Sequence, residues 1–237
     1  EKDTINLITV DKGLPSNIVK TILQDREGNY WFGTWNGLVK YKGDRFINYT
    51  LEDGLSNNNI LSIFPDSSGG IWFGTLTGGV NYSNGTTITN LGLEAGLKST
   101  TIWSIYINRK NEHWFGTTNG PALLDMRTKR FTHPYSFFNN MIIYSILEDK
   151  KGEMYFGTDK GIYVNEKGKS TFRNIGSVDG LTNDKVRVLF QDNSGKIWVG
   201  TMKGIYYLED NKAINFSEQF NLPGAPVTSI IQDSTGR

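Results

Sequence analysis

The sequence predicts an all-β protein, specifically a β-propeller of four-stranded antiparallel blades, and three observations carry that expectation. An aromatic-Gly-Thr motif recurs five times at a nearly constant interval, a polar turn precedes each copy, and the composition combines 27 glycines with 13 Phe, 11 Tyr and 6 Trp. Short aromatic strands joined by tight turns need that mixture, whereas helices would draw on more Ala and Leu.

The motif reads Trp31-Phe32-Gly33-Thr34, Trp72-Phe73-Gly74-Thr75, Trp114-Phe115-Gly116-Thr117, Tyr155-Phe156-Gly157-Thr158 and Trp198-Val199-Gly200-Thr201, at intervals of 41, 42, 41 and 43 residues. A first strand, typified by Ile60-Leu61-Ser62-Ile63-Phe64, precedes it. Between the two lies the turn Asp25-Arg26-Glu27-Gly28, repeated as Asp66 to Gly69, Asn108 to Asn111, Asp149 to Gly152, Asp192 to Gly195 and Asp233 to Gly236. Asp bonds to its own turn backbone and Gly accepts positive φ, so this is a hairpin. The motif is the second strand. A glycine-ended turn leads to a third, such as Leu38-Val39-Lys40-Tyr41, and a fourth runs through Phe46-Ile47-Asn48-Tyr49, with equivalents near Ile88, Phe131, Phe172 and Phe216.

Four strands in about 42 residues match one propeller blade. Helical repeats would need apolar spacing near 3.6, and a β-sandwich has no reason to repeat one sequence at constant spacing. The expected units are 18–49, 59–90, 101–133, 142–174 and 185–217, with partial strands at 1–10 and 226–237. Ile5 to Thr9 aligns with Phe46 to Thr50, so the chain is expected to open on a fourth strand and close on a first one. That phase suits a piece of a longer chain, or a ring completed by another segment.

Residues shared by every unit serve the fold. The Trp and Tyr side chains are expected to pack between blades, glycine follows them because a side chain would press on the neighbouring strand, and Thr21, Ser62, Ser104, Ser145 and Ser229 suit a crowded inner strand, a pattern that Val188 breaks. Residues that differ between units have escaped that constraint. They cluster on two loop sets expected on one face, which makes that face the natural binding surface. One aligned position holds Trp35, Leu76, Thr118, Asp159 and Met202. Candidate ligand contacts are Trp35 as a stacking plate, Asn36, Asn58, Asn119, Tyr135, Asp159 and Asp184, with Lys185 and Arg187 for an anionic group. Each has a structural alternative: Trp35 folded over its own blade, the Tyr135 to Met141 stretch as core filling, and the two cations as surface residues.

Twenty-five basic against 24 acidic residues, a net charge of +1, give no electrostatic case for a nucleic-acid partner. The chain has no cysteine and two histidines, His113 and His133, which excludes disulfides and thiolate metal sites and leaves little for a histidine metal centre. No run approaches the roughly 18 apolar residues of a membrane helix. No nucleophile elbow, zinc-protease helix or phosphate loop is present, and the Asp-x-x-Gly turn lacks the closely spaced oxygens of a calcium loop. Neither catalytic residues, metal nor cofactor is expected. A glycosidase or lyase is the weakest alternative, with Asp159 and Asp184 its only non-turn acids on the binding face.

The recurrent Gly-Leu-Ser-x-Asn, Ile-x-x-Ile and Asp-x-x-Gly-x-Ile-Trp-Phe-Gly-Thr-x-x-Gly-Leu, clearest from Gly54 to Gly79 and Gly13 to Leu38, resembles the two-component-regulator propeller repeat. The resemblance covers essentially the whole chain. It implies a periplasmic sensor region of a Bacteroides-type hybrid two-component system, a seven-bladed ring of which this chain holds about five blades, and a kinase further along the parent. It also implies a glycan or oligosaccharide ligand, the remaining blades and downstream sensor domains as partners, and dimerisation in some relatives. The competing expectation is a noncatalytic protein-interaction or dimerisation scaffold.

Overall fold

The computed structural model describes residues 7–167, 169, 171–182, 185–233, 235 and 236. Its strands form five four-stranded antiparallel sheets, each in the simple order first to fourth. The first holds β1 (Val19–Gln24), β2 (Tyr30–Thr34), β3 (Gly37–Lys42) and β4 (Arg45–Tyr49); the second holds β5 (Ile60–Pro65), β6 (Ile71–Thr75), β7 (Val80–Ser83) and β8 (Ile88–Leu91). The third holds β9 (Ile102–Ile107), β10 (His113–Thr117), β11 (Gly120–Asp125) and β12 (Arg130–Thr132). The fourth holds β13 (Ile143–Glu148), β14 (Met154–Thr158), β15 (Gly161–Asn165) and β16 (Phe172–Ile175). The fifth holds β17 (Val186–Gln191), β18 (Ile197–Thr201), β19 (Gly204–Glu209) and β20 (Lys212–Asn215). No helix among the described residues is long and apolar enough to cross a membrane.

Two compact units divide the chain, Glu1–Ile105 and Tyr106–Arg237, and the boundary falls inside β9. Within each unit, successive sheets stack face to face, and the motif glycine sets how closely. A Cβ on Gly33 would lie 2.8 Å from Ile60 Cγ2 of the second sheet, and one on Gly74 would lie 2.6 Å from Ile102 Cβ. In the second unit a Cβ on Gly157 would lie 2.8 Å from Val186 Cγ1. The first-strand residue of one sheet therefore inserts where its predecessor has no side chain. Around each insertion the motif aromatics close a core, as Trp31 does with Leu38, Leu55, Ile60, Ile71 and Phe73. The small hydroxyls bridge the same junctions: Ser62 Oγ donates to Ile102 O at 3.3 Å, and Leu189 N donates to Ser145 Oγ at 3.1 Å.

The polar turn does more than reverse the chain. One carboxylate oxygen of Asp25 accepts from the backbone of Glu27 and Asn29, and the other accepts from Trp31 Nε1 at 2.9 Å. Asp192 repeats this, with Oδ1 on Lys196 N and Oδ2 on Trp198 Nε1, both at 2.9 Å. In the third sheet the turn residue is Asn108, whose amide nitrogen donates to Glu112 and cannot accept, and Trp114 Nε1 has no partner among the described residues. Burial pushes the Asp25, Asp66 and Asp192 carboxyls up, but the hydrogen bonds they accept outweigh it, from Asn29 and Trp31, from Ser68 and Gly70, and from Ser194 and Trp198; all three lie below the ordinary carboxylate range.

Two expectations need correction. Phe216, read as part of a fourth strand, opens a short helix, α1 (Phe216–Gln219), because Asn215 Oδ1 accepts from Glu218 N at 3.1 Å and turns the chain there. Residues 226–233, read as a first strand, form no strand among the described residues, since the second strand that would pair with them is not among those residues. Val227 nonetheless takes the inserting position, 2.8 Å from a Cβ on Gly200. The partial strand at 1–10 lies mostly outside the described residues.

Gly74→Val should lower the unfolding free energy by about 3 kcal/mol through overpacking against Ile102, whereas Gly69→Ala, at φ 89° with open space around it, should cost about 1 kcal/mol of backbone strain. Paired urea titrations compare them; equal losses would remove the close-approach argument. A second expectation concerns acid. Because the folded pKa values of Asp25 and Asp192 are depressed, their stabilisation is complete above the unfolded value near 3.8 and is lost as pH falls through the folded values. Asp25→Asn and Asp192→Asn should each cost about 1–2 kcal/mol at pH 7 and flatten the acid limb of a pH–stability profile.

Candidate functional site

Within each unit, the turn after a second strand lies beside the loop that enters the next sheet. Gly37 N donates to Asn58 O, Gly79 N to Thr100 O and Gly120 N to Met141 O, each at 2.8 Å, tying the turn after a second strand to the loop that enters the next sheet. Each entering loop forms a one-turn 3-10 helix; four of the five are closed by a glycine of positive φ, Gly13, Gly54, Gly96 and Gly180, and then bury a leucine, Leu14, Leu55, Leu97 and Leu181, whereas Asn139 closes the loop into the fourth sheet at φ −55°. In the fourth sheet Phe138 takes the leucine position and is fully buried.

Most sequence-derived candidates hold these loops together. Asn58 Oδ1 accepts from Leu51 N at 2.9 Å. Asn119 Oδ1 accepts from Asn140 N at 2.7 Å, and Asp159 Oδ1 accepts from Ile142 N at 3.0 Å. Asn36 N donates to Thr34 Oγ1 at 3.1 Å, and its side-chain amide reaches Pro15 O at 3.4 Å. Tyr135 is half-buried, stacked on Trp114 at 5.9 Å and edge-on to Phe172 at 4.8 Å, and burial pushes its phenol up. Core filling describes it. Among the aromatics of that loop Phe137 is the half-exposed one, lying on Phe138 at 4.1 Å.

Trp35, Lys185 and Arg187 differ. Trp35 is 50 % exposed, and Lys20 Nζ lies 5.1 Å from its ring centre, so the ring is held at one face and open at the other. Arg187 lies 4.2 Å over the Tyr144 ring, and Lys185 is exposed. Asp184 lies outside the described residues.

A cleft of about 610 Å³ opens on the fifth sheet, lined by Thr182, Lys203, Tyr206, Asn215, Glu218 and Leu222. That volume is ordinary for a small-ligand site. Its floor is rigid: Tyr206 is buried, and its hydroxyl lies 2.6 Å from Thr182 Oγ1. This contact sits where Asn81 meets Ser56 in the second sheet, Asn81 Nδ2 donating to Ser56 Oγ at 2.8 Å. The Lys203 ammonium and the Glu218 carboxylate have no partner among the described residues. Leu222 occupies the leucine position of the exit loop yet is 45 % exposed, giving the cleft one apolar wall. The arrangement offers an ammonium, a carboxylate, amides and a hydroxyl pair beside an apolar edge, a set able to hold a polyhydroxylated molecule by directional hydrogen bonds. Sequence reasoning passed over it, although Asn221-Leu222-Pro223-Gly224 departs from the Asp-Gly-Leu-Ser/Thr pattern and marks a differently built loop.

Against known proteins, residues 13–36, 54–77, 136–160 and 180–203 match the family described as Two component regulator propeller. Each match runs from an entering loop to the turn after a second strand. No curated protein matches the chain. Among solved structures, the extracellular domain ascribed to a hybrid two component system of B. thetaiotaomicron matches over 97 % of this chain and 33 % of its own length, with 24 % identity and a TM-score of 0.83. A second such domain from the same organism gives 19 % identity and a TM-score of 0.63, over 94 % and 37 %. Virginiamycin B lyase from Staphylococcus aureus gives 17 % identity and 0.70, over 90 % and 75 %. The chain thus spans about a third of the length of the first structures it matches. It has their fold, and its repeats resemble the regulator propeller.

Tyr206→Phe should leave Thr182 Oγ1 short of its partner and cost about 1 kcal/mol. Asn58→Ala should cost a similar amount by freeing Leu51 N. Thermal unfolding of both variants checks this, and no loss at Asn58 would return that residue to the candidate ligand contacts.

Proposed function

We propose that this chain is the ligand-sensing propeller segment of an extracytoplasmic, periplasmic sensor of the hybrid two-component type, binding an oligosaccharide without turning it over. The observation that carries the reading is the regulator-propeller match in four repeats together with a polar cleft on the face where the varying loops gather. Sugar hydroxyls would bond to Lys203, Asn215 and Glu218 in the cleft, and Trp35 is a second, separate stacking plate. Signalling would follow from a geometry that ligand favours over the free one, passed to a kinase carried elsewhere on the polypeptide. The remaining blades of a seven-bladed ring and a second sensor copy belong to the same reading. The reading assigns no catalytic step to the chain.

A second reading, a noncatalytic interaction scaffold, is favoured by Trp35, Leu76 and Met202, all exposed at one aligned turn position. A glycan array followed by calorimetry separates them. Selective sugar binding, weakened roughly ten-fold or more by Lys203→Ala or Glu218→Gln with unchanged thermal stability, is the expected outcome; hydrogen bonds to charged groups support that size. Silence across the array with a stable protein complex supports the scaffold, and turnover of a bound glycan would overturn both.

A further inference from the structure

Three Asn-Gly pairs lie in this chain, Asn36-Gly37, Asn84-Gly85 and Asn119-Gly120, and the structure treats them differently. In such a pair the backbone nitrogen after the asparagine can attack the side-chain amide, since glycine puts no side chain in the way of the approach. In the first and third pairs that nitrogen is engaged: Gly37 N donates to Asn58 O and Gly120 N to Met141 O, each at 2.8 Å. The asparagine side chains are tied as well, Asn36 Nδ2 reaching Pro15 O and Asn119 Oδ1 accepting from Asn140 N. Both backbones are also crowded. A Cβ on Gly37 would lie 2.7 Å from Tyr49 O, and one on Gly120 would lie 3.1 Å from Phe138 O.

Asn84-Gly85 sits in the hairpin between β7 and β8, and both residues are exposed. A Cβ on Gly85 would meet nothing within 4 Å. Asn84 Oδ1 accepts from four donors, Thr86 N at 3.0 Å, Thr86 Oγ1 at 2.9 Å, Thr87 N at 2.9 Å and Thr87 Oγ1 at 3.2 Å. Two of these are backbone N–H groups, which identifies the atom facing them as the oxygen. Donors gathered on a carbonyl oxygen draw electrons from its carbon and hold the negative charge the oxygen gains when a nucleophile adds. The nucleophile next to this carbon is Gly85 N. Its N–H donates to Ser83 Oγ at 3.2 Å, so the proton has an acceptor to leave by.

We propose that Asn84 is a self-modification site, converted to aspartate or isoaspartate through a cyclic imide. Gly85 N forms a bond to Asn84 Cγ, and its proton passes by way of Ser83 and solvent water to the amide nitrogen. The Cγ–Nδ2 bond then breaks, and ammonia leaves. Water adds to one of the two ring carbonyls, and the bond from that carbon to the ring nitrogen breaks. Opening at Cγ restores the peptide link beside an aspartate; opening at the backbone carbonyl leaves the chain running through the side chain. Either product places a new negative charge on the outer hairpin of the second sheet. The aspartate keeps an acceptor for the same donors, whereas the isoaspartate lengthens the turn and draws that acceptor away from Thr86 and Thr87. The inference is independent of the ligand reading.

The 237-residue chain is incubated at mildly alkaline pH, folded and in guanidinium chloride, and peptide mapping by mass spectrometry follows amide-to-acid conversion at the three asparagines. In denaturant the three should react at similar rates. In the folded chain Asn84 should react faster than in denaturant, while Asn36 and Asn119, held away from the attack geometry, should slow by roughly ten-fold or more. Thr86→Val combined with Thr87→Val keeps both backbone donors and should slow folded Asn84 by roughly ten-fold, since loss of even one such donor supports an effect of that order. An Asn84 that reacts no faster folded than unfolded would overturn the proposal, and so would a folded rate that the double valine variant leaves unchanged. Sugar binding at Lys203 is a separate readout, and its failure would leave these rates as they are.

Discussion

One steric fact organises this molecule: at the motif glycine of a second strand, the first-strand residue of the next sheet enters space that any Cβ would fill. Insertion at that depth brings large aromatic and aliphatic faces together, and burying them is the main stabilising term available to sheets too small to stand alone. The glycine is thus a packing residue, distinct from the turn glycines, whose role is conformational. Val227 shows how general the fit is, since it takes the same place although no strand forms around it.

Polar groups make the junctions directional. In the first and fifth sheets a carboxylate serves the turn backbone with one oxygen and a tryptophan indole with the other, so the turn and the aromatic that follows it are fixed together. In the third sheet the turn residue is Asn108, which offers a single acceptor oxygen, and the indole nitrogen of Trp114 has no hydrogen-bond partner among the described residues. Latches such as Lys150 N to Gln191 then set the alignment of one sheet on the next. Apolar burial alone is nondirectional, and these bonds supply the orientation it lacks.

The same economy explains the binding face. Loops that cross from sheet to sheet must satisfy their own backbone groups, and Asn58, Asn119 and Asp159 are spent on that task. Where the loop is built differently, after β20, a helix replaces the 3-10 turn, and Lys203 and Glu218, with no partner among the described residues, border a cleft beside the Tyr206–Thr182 hydroxyl pair. The cleft opens where the repeat relaxes.

By itself the sequence determined the sheet order, the turn chemistry and the structural place of the motif Trp, Gly and hydroxyl residues, because each depends on local steric rules that repeat with the residues. Only the tertiary structure decided which polar loop residues were free. Asn36 and Lys203 occupy comparable turns, yet one side chain reaches Pro15 and the other opens into the cleft. Phe216 was beyond sequence reading for a similar reason, since the cap formed by Asn215 outweighs the strand pattern only once the chain has reached that corner. Hydrogen bonds and burial at such points join residues far apart in sequence, and a periodic pattern contains no record of partners that differ from one repeat to the next.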